Sequence, residues 1–262
     1  MPFTQRLLLN VPTFPLALIV IGFSASLMVV ITAIVHFLTF RYFKIKKSMK
    51  SAPVLFAAIA SIYSILLGIV LFSSWMGFRD TETDVQKGAD CLIELYRSTD
   101  AFLPAIKNEV RVLLEQYARS IINDEWPSLA RSELNPGSTE IIKKVWHIYS
   151  TYAPSTQTEQ VFLQESVRNL SRLRECRADR LSDSKMGVYP LLWLVLIIGE
   201  VIIAIFITLL LEGNLKIDLI TASLFGVLIG LIFFAILLFD FPFTGQSFIV
   251  SPAPFKEVLS SW

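Results

Sequence analysis

The chain has 262 residues, 54% of them hydrophobic, and a formal net charge of only +1. That balance gives no electrostatic footprint for nucleic acid and none for an acidic partner. The charge is unevenly spread: windows 7–40, 51–78, 186–211 and 219–239 are nearly free of it, while the block 79–185 holds 32 of the 45 acidic and basic residues. A membrane-spanning helix needs about 20 apolar residues, and each window is long enough. The pattern predicts an all-α integral membrane protein whose partner is the lipid bilayer. Its expected parts are two transmembrane helices in 1–78, an inserted α-helical soluble domain in 79–186, two further transmembrane helices in 187–241, and an extended C-terminal tail over 242–262.

The first apolar run exceeds the roughly 7–15 residues of a signal-peptide core, and only Arg6 precedes it, so a retained helix over 14–40 is expected. The loop 41–51 follows, with Arg41, Lys44, Lys46, Lys47 and Lys50 and no acid. Positive charge on a short loop marks the cytoplasmic side, which would put the soluble domain outside the cytoplasm. The second membrane helix begins near Ala52 and has no stop signal at its polar end. Val85, Ala89, Leu92 and Tyr96 continue one helical face, which predicts a single long rod leaving the membrane. Within the membrane, Ala57, Ser61, Ser64, Gly68 and Trp75 share a face. Small, weakly polar residues serve either close helix packing or a pore lining.

In the soluble block Ile106, Val110, Leu113, Tyr117 and Ile121 define an amphipathic helix that ends at "NDEWP". "SELNPGS" reads as a loop, a helix over about 139–152 follows, and Thr156 with Glu159 has the spacing of a capping box for a last helix reaching about 183. Asp124 and Glu125 fall at a helix C-terminus, where the macrodipole disfavours acids. Arg174 and Arg177 fall among Leu163, Leu170, Leu173 and Leu181 on the last helix. A guanidinium on an apolar face needs a carboxylate, ideally a bidentate one, so a structural ion pair of Glu125 or Asp124 with Arg174 or Arg177 is expected.

The third membrane helix contains "LVLIIGEVIIAIF", with Glu200 among aliphatic residues. Glu200 lies about as far from the Leu211 end of its helix as Tyr63 lies from the Ala52 end of the second, a common depth of roughly 16 Å at 1.5 Å per residue. A mid-membrane carboxylate is costly, about 2.5–3.5 kcal/mol. The side chain is therefore expected to face the interior and meet Ser61, Tyr63 or Ser64, either protonated on a hydroxyl or ionised beside water. The fourth helix carries Gly226 and Gly230, a GxxxG packing signal, and ends at the membrane-exit acid Asp240.

No P-loop or dinucleotide fingerprint is present. Cys91 and Cys176 lack metal-ligand spacing, and His36 and His147 fall in different compartments. No enzyme activity, cofactor or metal is expected. A disulfide would need an oxidising compartment, and Cys91 lies off the face of Val85, Leu92 and Tyr96, so free thiols are expected.

"WMGF", "LIELYR", "LPAIKNEVRVLLEQYARSIINDEWP", "RLRECRADRL" before "PLLWLVLIIGE", and "FDFPFTG" occur in that order between residues 55 and 255. This series resembles the bacterial bestrophin-like membrane family. The resemblance implies a bacterial inner-membrane protein related to oligomeric ion channels in which the second helix of each subunit lines a central pore. It thus implies self-association and inorganic ions as partners, and a cytoplasmic large domain, the reverse of the lysine-loop orientation. A non-conducting scaffold or sensor, whose helical domain binds a partner, is the alternative reading.

Overall fold

The computed structural model describes residues 3–39, 52–133, 135–185, 187–210 and 214–262. The lysine-rich loop 41–51, on which the orientation argument rests, lies outside the described residues. The described elements are ten α-helices, α1 Phe3–Asn10, α2 Thr13–Leu38, α3 Ala52–Ser98, α4 Pro104–Ser120, α5 Trp126–Leu129, α6 Gly137–Thr151, α7 Gln157–Asp183, α8 Pro190–Leu210, α9 Leu215–Asp240 and α10 Ala253–Ser260, with a 3-10 turn over Thr99–Ala101 and a π-helical turn over Ile121–Glu125. No strand occurs among the described residues. Among the described residues four helices are long and apolar enough to cross a membrane: α2, α3, α8 and α9.

The chain divides into two compact units. One comprises Asn10–Met76 and Gly187–Asp240; the other comprises Met1–Leu9, Gly77–Met186 and Phe241–Trp262.

In the membrane unit, α2 and α9 run antiparallel in close contact. Their approach is set by the two glycines of α9. A Cβ at Gly226 would stand 2.6 Å from the Cα of Ala25, and one at Gly230 would stand 2.8 Å from the Cα of Ile21. Only a residue without a side chain fits, and the reward is continuous backbone-to-backbone packing, the main attraction between helices in lipid. α8 meets α3 in the same manner. A Cβ at Gly199 would fall 2.3 Å from Cε2 of Tyr63, whose ring occupies the space the missing side chain leaves. Tyr63, Leu67 and Val70 of α3 join Met28, Leu196, Ile203, Ile229 and Phe233 in one buried cluster.

In the helical unit, α3 and α7 are antiparallel, with Thr81 bonded to Asp183, Gly88 against Cys176, and Ser98 bonded to Ser166. Each step forward on one helix matches an equal step back on the other. α3 is one uninterrupted helix of 47 residues, about 70 Å at 1.5 Å per residue. α7 is capped by Thr156, whose hydroxyl accepts the Glu159 backbone N–H at 3.1 Å, an N-cap at the predicted spacing.

The C-terminal tail departs from the extended form expected of it. Residues 253–260 form α10, with Pro254 in its first turn, where a missing N–H is harmless. Phe255 and Val258, three residues apart, bury one face. Phe241, Phe243 and Val250 are buried too, and Trp126 donates its indole N–H to the Val250 carbonyl at 3.1 Å. The proline-rich stretch read as extended because prolines disfavour helix before them; the buried pair was the contrary signal. α1 was not anticipated either. It is held in the same unit by Gln5, fully buried, which donates to Ser132 Oγ at 2.7 Å.

Gly226→Ala should destabilise the protein by about 1–3 kcal/mol, the usual cost of overpacking. Gly22→Ala should be neutral or slightly stabilising, since a Cβ there meets nothing within 4 Å. Thermal unfolding of both variants in detergent tests the contrast.

Candidate functional site

Gly199 and Glu200 are consecutive on α8 and therefore point about 100° apart. Gly199 receives the Tyr63 ring of α3, and Tyr63 donates its hydroxyl to the Leu196 carbonyl at 2.9 Å. Glu200 turns instead to α2. Its side chain is completely buried, and Oε1 is hydrogen-bonded to Ser24 Oγ. Ser24 Oγ also contacts the Gly226 carbonyl of α9 at 2.8 Å. The expected hydroxyl partner is thus present but sits on α2, not α3. Depth counting gives the height of Glu200 but not the direction in which it points.

A serine hydroxyl has one hydrogen, and here it faces two acceptors. Both contacts are satisfied when Glu200 is a neutral acid: its O–H donates to Ser24 Oγ, and Ser24 donates onward to the Gly226 carbonyl. A buried charge with no cation beside it is the costly alternative.

Ser61, Ser64, Gly68 and Trp75 share the outer face of α3 and are all exposed in the single chain. Ser61 Oγ donates to the Ala57 carbonyl at 2.7 Å and Ser64 Oγ to the Ser61 carbonyl at 2.9 Å. A Cβ at Gly68 would meet nothing within 4 Å. Ser61, Ser64 and Gly68 are accordingly not packed against another helix of the described chain. Asp240, at the end of α9, accepts the backbone N–H of Val188 and so fastens the lead-in to α8. A second intramembrane pair joins His36 Nδ1 of α2 to Asp218 Oδ2 of α9 at 3.2 Å. The sequence reading missed it, although both residues lie at the ends of their helices on one membrane side, and the depth argument used for Glu200 would have matched them.

In the helical unit α4 runs into a π-helical turn over Ile121–Glu125. A regular helix would place both residues 124 and 125 behind buried Ile121, at three and four residues. The wider turn sends Glu125 inward and leaves Asp124 exposed. Glu125 accepts from Arg177 Nε at 2.6 Å, from Arg180 Nη2 at 3.1 Å, and from the Ser138 hydroxyl. Arg177 continues to Thr139 Oγ1 at 2.8 Å and to the Asn135 carbonyl at 3.0 Å. Arg180 is fully buried, its guanidinium 5.1 Å from the Phe255 ring centre and 6.0 Å from that of Trp126. Asp124 and Arg174 take no part in the clamp. Burial, the strongest influence on Glu125, pushes its carboxyl upward, but Arg180, Arg177 and the Ser138 hydroxyl together outweigh it and hold it below the usual glutamate range. Cys91 and Cys176 are free thiols lining one groove between α3 and α7, and burial pushes both above the usual thiol range.

A model of the Bestrophin-like domain matches residues 17–255. The chain belongs to the Bestrophin-like family. Among solved structures it is similar to a bacterial bestrophin homologue from Klebsiella pneumoniae phased on zinc, at 14% identity over 91% of this chain and 96% of that one, with a TM-score of 0.64. Two single-residue variants of a bacterial bestrophin homologue from the same organism give 15% identity with a TM-score of 0.67 and 12% with 0.68, each over 92% of this chain and 96% of theirs. No curated protein sequence matches. At these identities the likeness is one of fold: this bestrophin-like chain is an all-helical integral membrane protein.

Two expectations follow from the geometry of the bestrophin-like chain. Glu200→Gln should be mild, because the amide can donate to Ser24 as the neutral acid does, whereas Glu200→Leu should cost about 1–3 kcal/mol by leaving Ser24 with a lost partner. Thermal unfolding in detergent separates them. For Glu125, the folded carboxyl ionises below the unfolded one, near 4.3 in model peptides. Its contribution is therefore present above that value and is lost as pH falls through the folded pKa. The stability gap between wild type and Glu125→Gln should be widest above about pH 5 and should close on acidification. Glu125→Ala should cost about 3–5 kcal/mol at neutral pH, since it leaves buried guanidinium unpaired.

Proposed function

We propose that the chain is one subunit of a homo-oligomeric, channel-like membrane protein in a bacterial inner membrane, with the conducting path along α3. The observation that carries this reading is the face of Ala57, Ser61, Ser64 and Gly68, small and weakly polar yet unused within the chain. Small residues let copies of a helix approach closely, and hydroxyls there offer polar groups to a hydrated path. The adjacent face of α3 bears Ile62, Ile65 and Ile69, all exposed large aliphatics, which suit lipid or a neighbouring subunit. Family membership favours the same reading. In it Glu200, Asp240 and the Glu125 clamp hold the frame, and α3 carries the ions.

The test is ion flux in liposomes combined with thiol accessibility. In a background lacking Cys91 and Cys176, Ser61→Cys, Ser64→Cys and Gly68→Cys should react with a water-soluble methanethiosulfonate, and flux should fall. Ile65→Cys should be inert. A folded protein that gives no flux, or that reacts at Ile65 in preference to Ser64, contradicts the pore assignment; absence of flux with an intact assembly favours a scaffold or sensor.

A further inference from the structure

In the helical unit a groove of about 520 Å³ lies between α6 and α7. Its apolar surface comes from Ile142, Leu181 and the indole of Trp146, which is 39% exposed. Its polar surface is basic, with Lys143, His147 and Arg174, and Arg177 at the back. No carboxylate lines it. Arg177 is already committed to Glu125, Thr139 and Asn135. Arg174 is not: among the described residues it has no carboxylate partner, and its guanidinium lies 5.9 Å from the ring centre of Trp146. Lys143 reaches Glu140 at 2.7 Å, but in an exposed pair, which holds it weakly.

The chain therefore presents an exposed arginine on the groove wall with no carboxylate partner among the described residues. It also places that arginine over an aromatic plane at the side of an open cavity. The cavity lies within the usual range for small-molecule sites, about 300–1,000 Å³, which are mostly apolar with a few placed polar groups. We propose that this groove binds a small amphipathic anion, with a flat apolar body against Trp146, Ile142 and Leu181 and one carboxylate or phosphate group between Arg174 and Lys143. Guanidinium suits a planar carboxylate or a phosphate face, and the indole face lies near enough to attract the cation. This inference does not depend on the channel reading.

Isothermal titration of the full-length protein in detergent tests it with naphthoate and its uncharged analogue naphthamide, which has the same shape. Naphthoate should bind once per chain, about tenfold or more tighter than naphthamide, as a charge-assisted contact implies, and more weakly at high salt. Arg174→Gln should remove that preference while leaving the thermal midpoint unchanged. Should Arg174→Gln prove unstable, Lys143→Gln, on the exposed wall, is read instead and should reduce the preference. Equal affinity for the two compounds, a preference insensitive to both substitutions, or no binding by the intact assembly would overturn the proposal. In the last case the groove is an apolar surface covered by another subunit.

Discussion

One serine hydroxyl organises the membrane unit. Ser24 of α2 lies between the carboxyl of α8 Glu200 and the backbone carbonyl of α9 Gly226, so three of the four spans meet at a single oxygen. That meeting is possible because α9 has no side chain at Gly226 and Gly230, which brings its backbone against Ala25 and Ile21. Glycine provides the approach and the hydrogen bonds fix the register, a combination suited to lipid, where apolar burial does not distinguish protein from solvent. Gly199 extends the scheme to α3, since Tyr63 can reach the Leu196 carbonyl only where α8 lacks a Cβ. Adjacent residues of α8 thus serve two different neighbours.

The helical unit solves a different problem. It has water around it and can use charge. Glu125 brings together Arg177, Arg180 and Ser138, and so ties the turn after α4 to α6 and α7. Such a buried network is weak evidence of stability in itself, but each side chain removed leaves another stranded. The aromatic rings of Trp126 and Phe255 complete the surroundings of Arg180 and bring the C-terminal helix into the same core. Within the membrane unit, the face of α3 that bears Ser61, Ser64 and Gly68 is exposed.

Elements whose signal is a composition or a period were legible in the sequence. Windows nearly free of charge marked the four spans, the run from Val85 to Tyr96 marked the extension of α3, and Thr156 with Glu159 marked the start of α7. Directions were not legible. Counting residues from a membrane end gives a depth, yet Ser24 and Tyr63 are both reached from α8, and only the 100° between Gly199 and Glu200 decides which meets the acid. The π-helical turn had the same effect at Asp124 and Glu125, because a wheel drawn at 3.6 residues per turn treats both as inward. Arg180 was available on the stripe of Leu173 and Cys176, but it lay outside the leucine pattern that drew attention to Arg174 and Arg177. α10 was hidden by prolines that read as breakers when one of them opens a helix.

The hydroxyl at the centre of the membrane unit carries a definite claim about protons: Glu200 is a neutral hydrogen-bond donor, not a buried charge. Infrared difference spectroscopy in lipid bilayers at neutral pH, wild type minus Glu200→Gln, measures this directly. A protonated carboxyl C=O band should be present in wild type, shifted by Ser24→Ala, and absent from the glutamine variant. A carboxylate band in its place, unaffected by Ser24→Ala, would contradict a neutral Glu200.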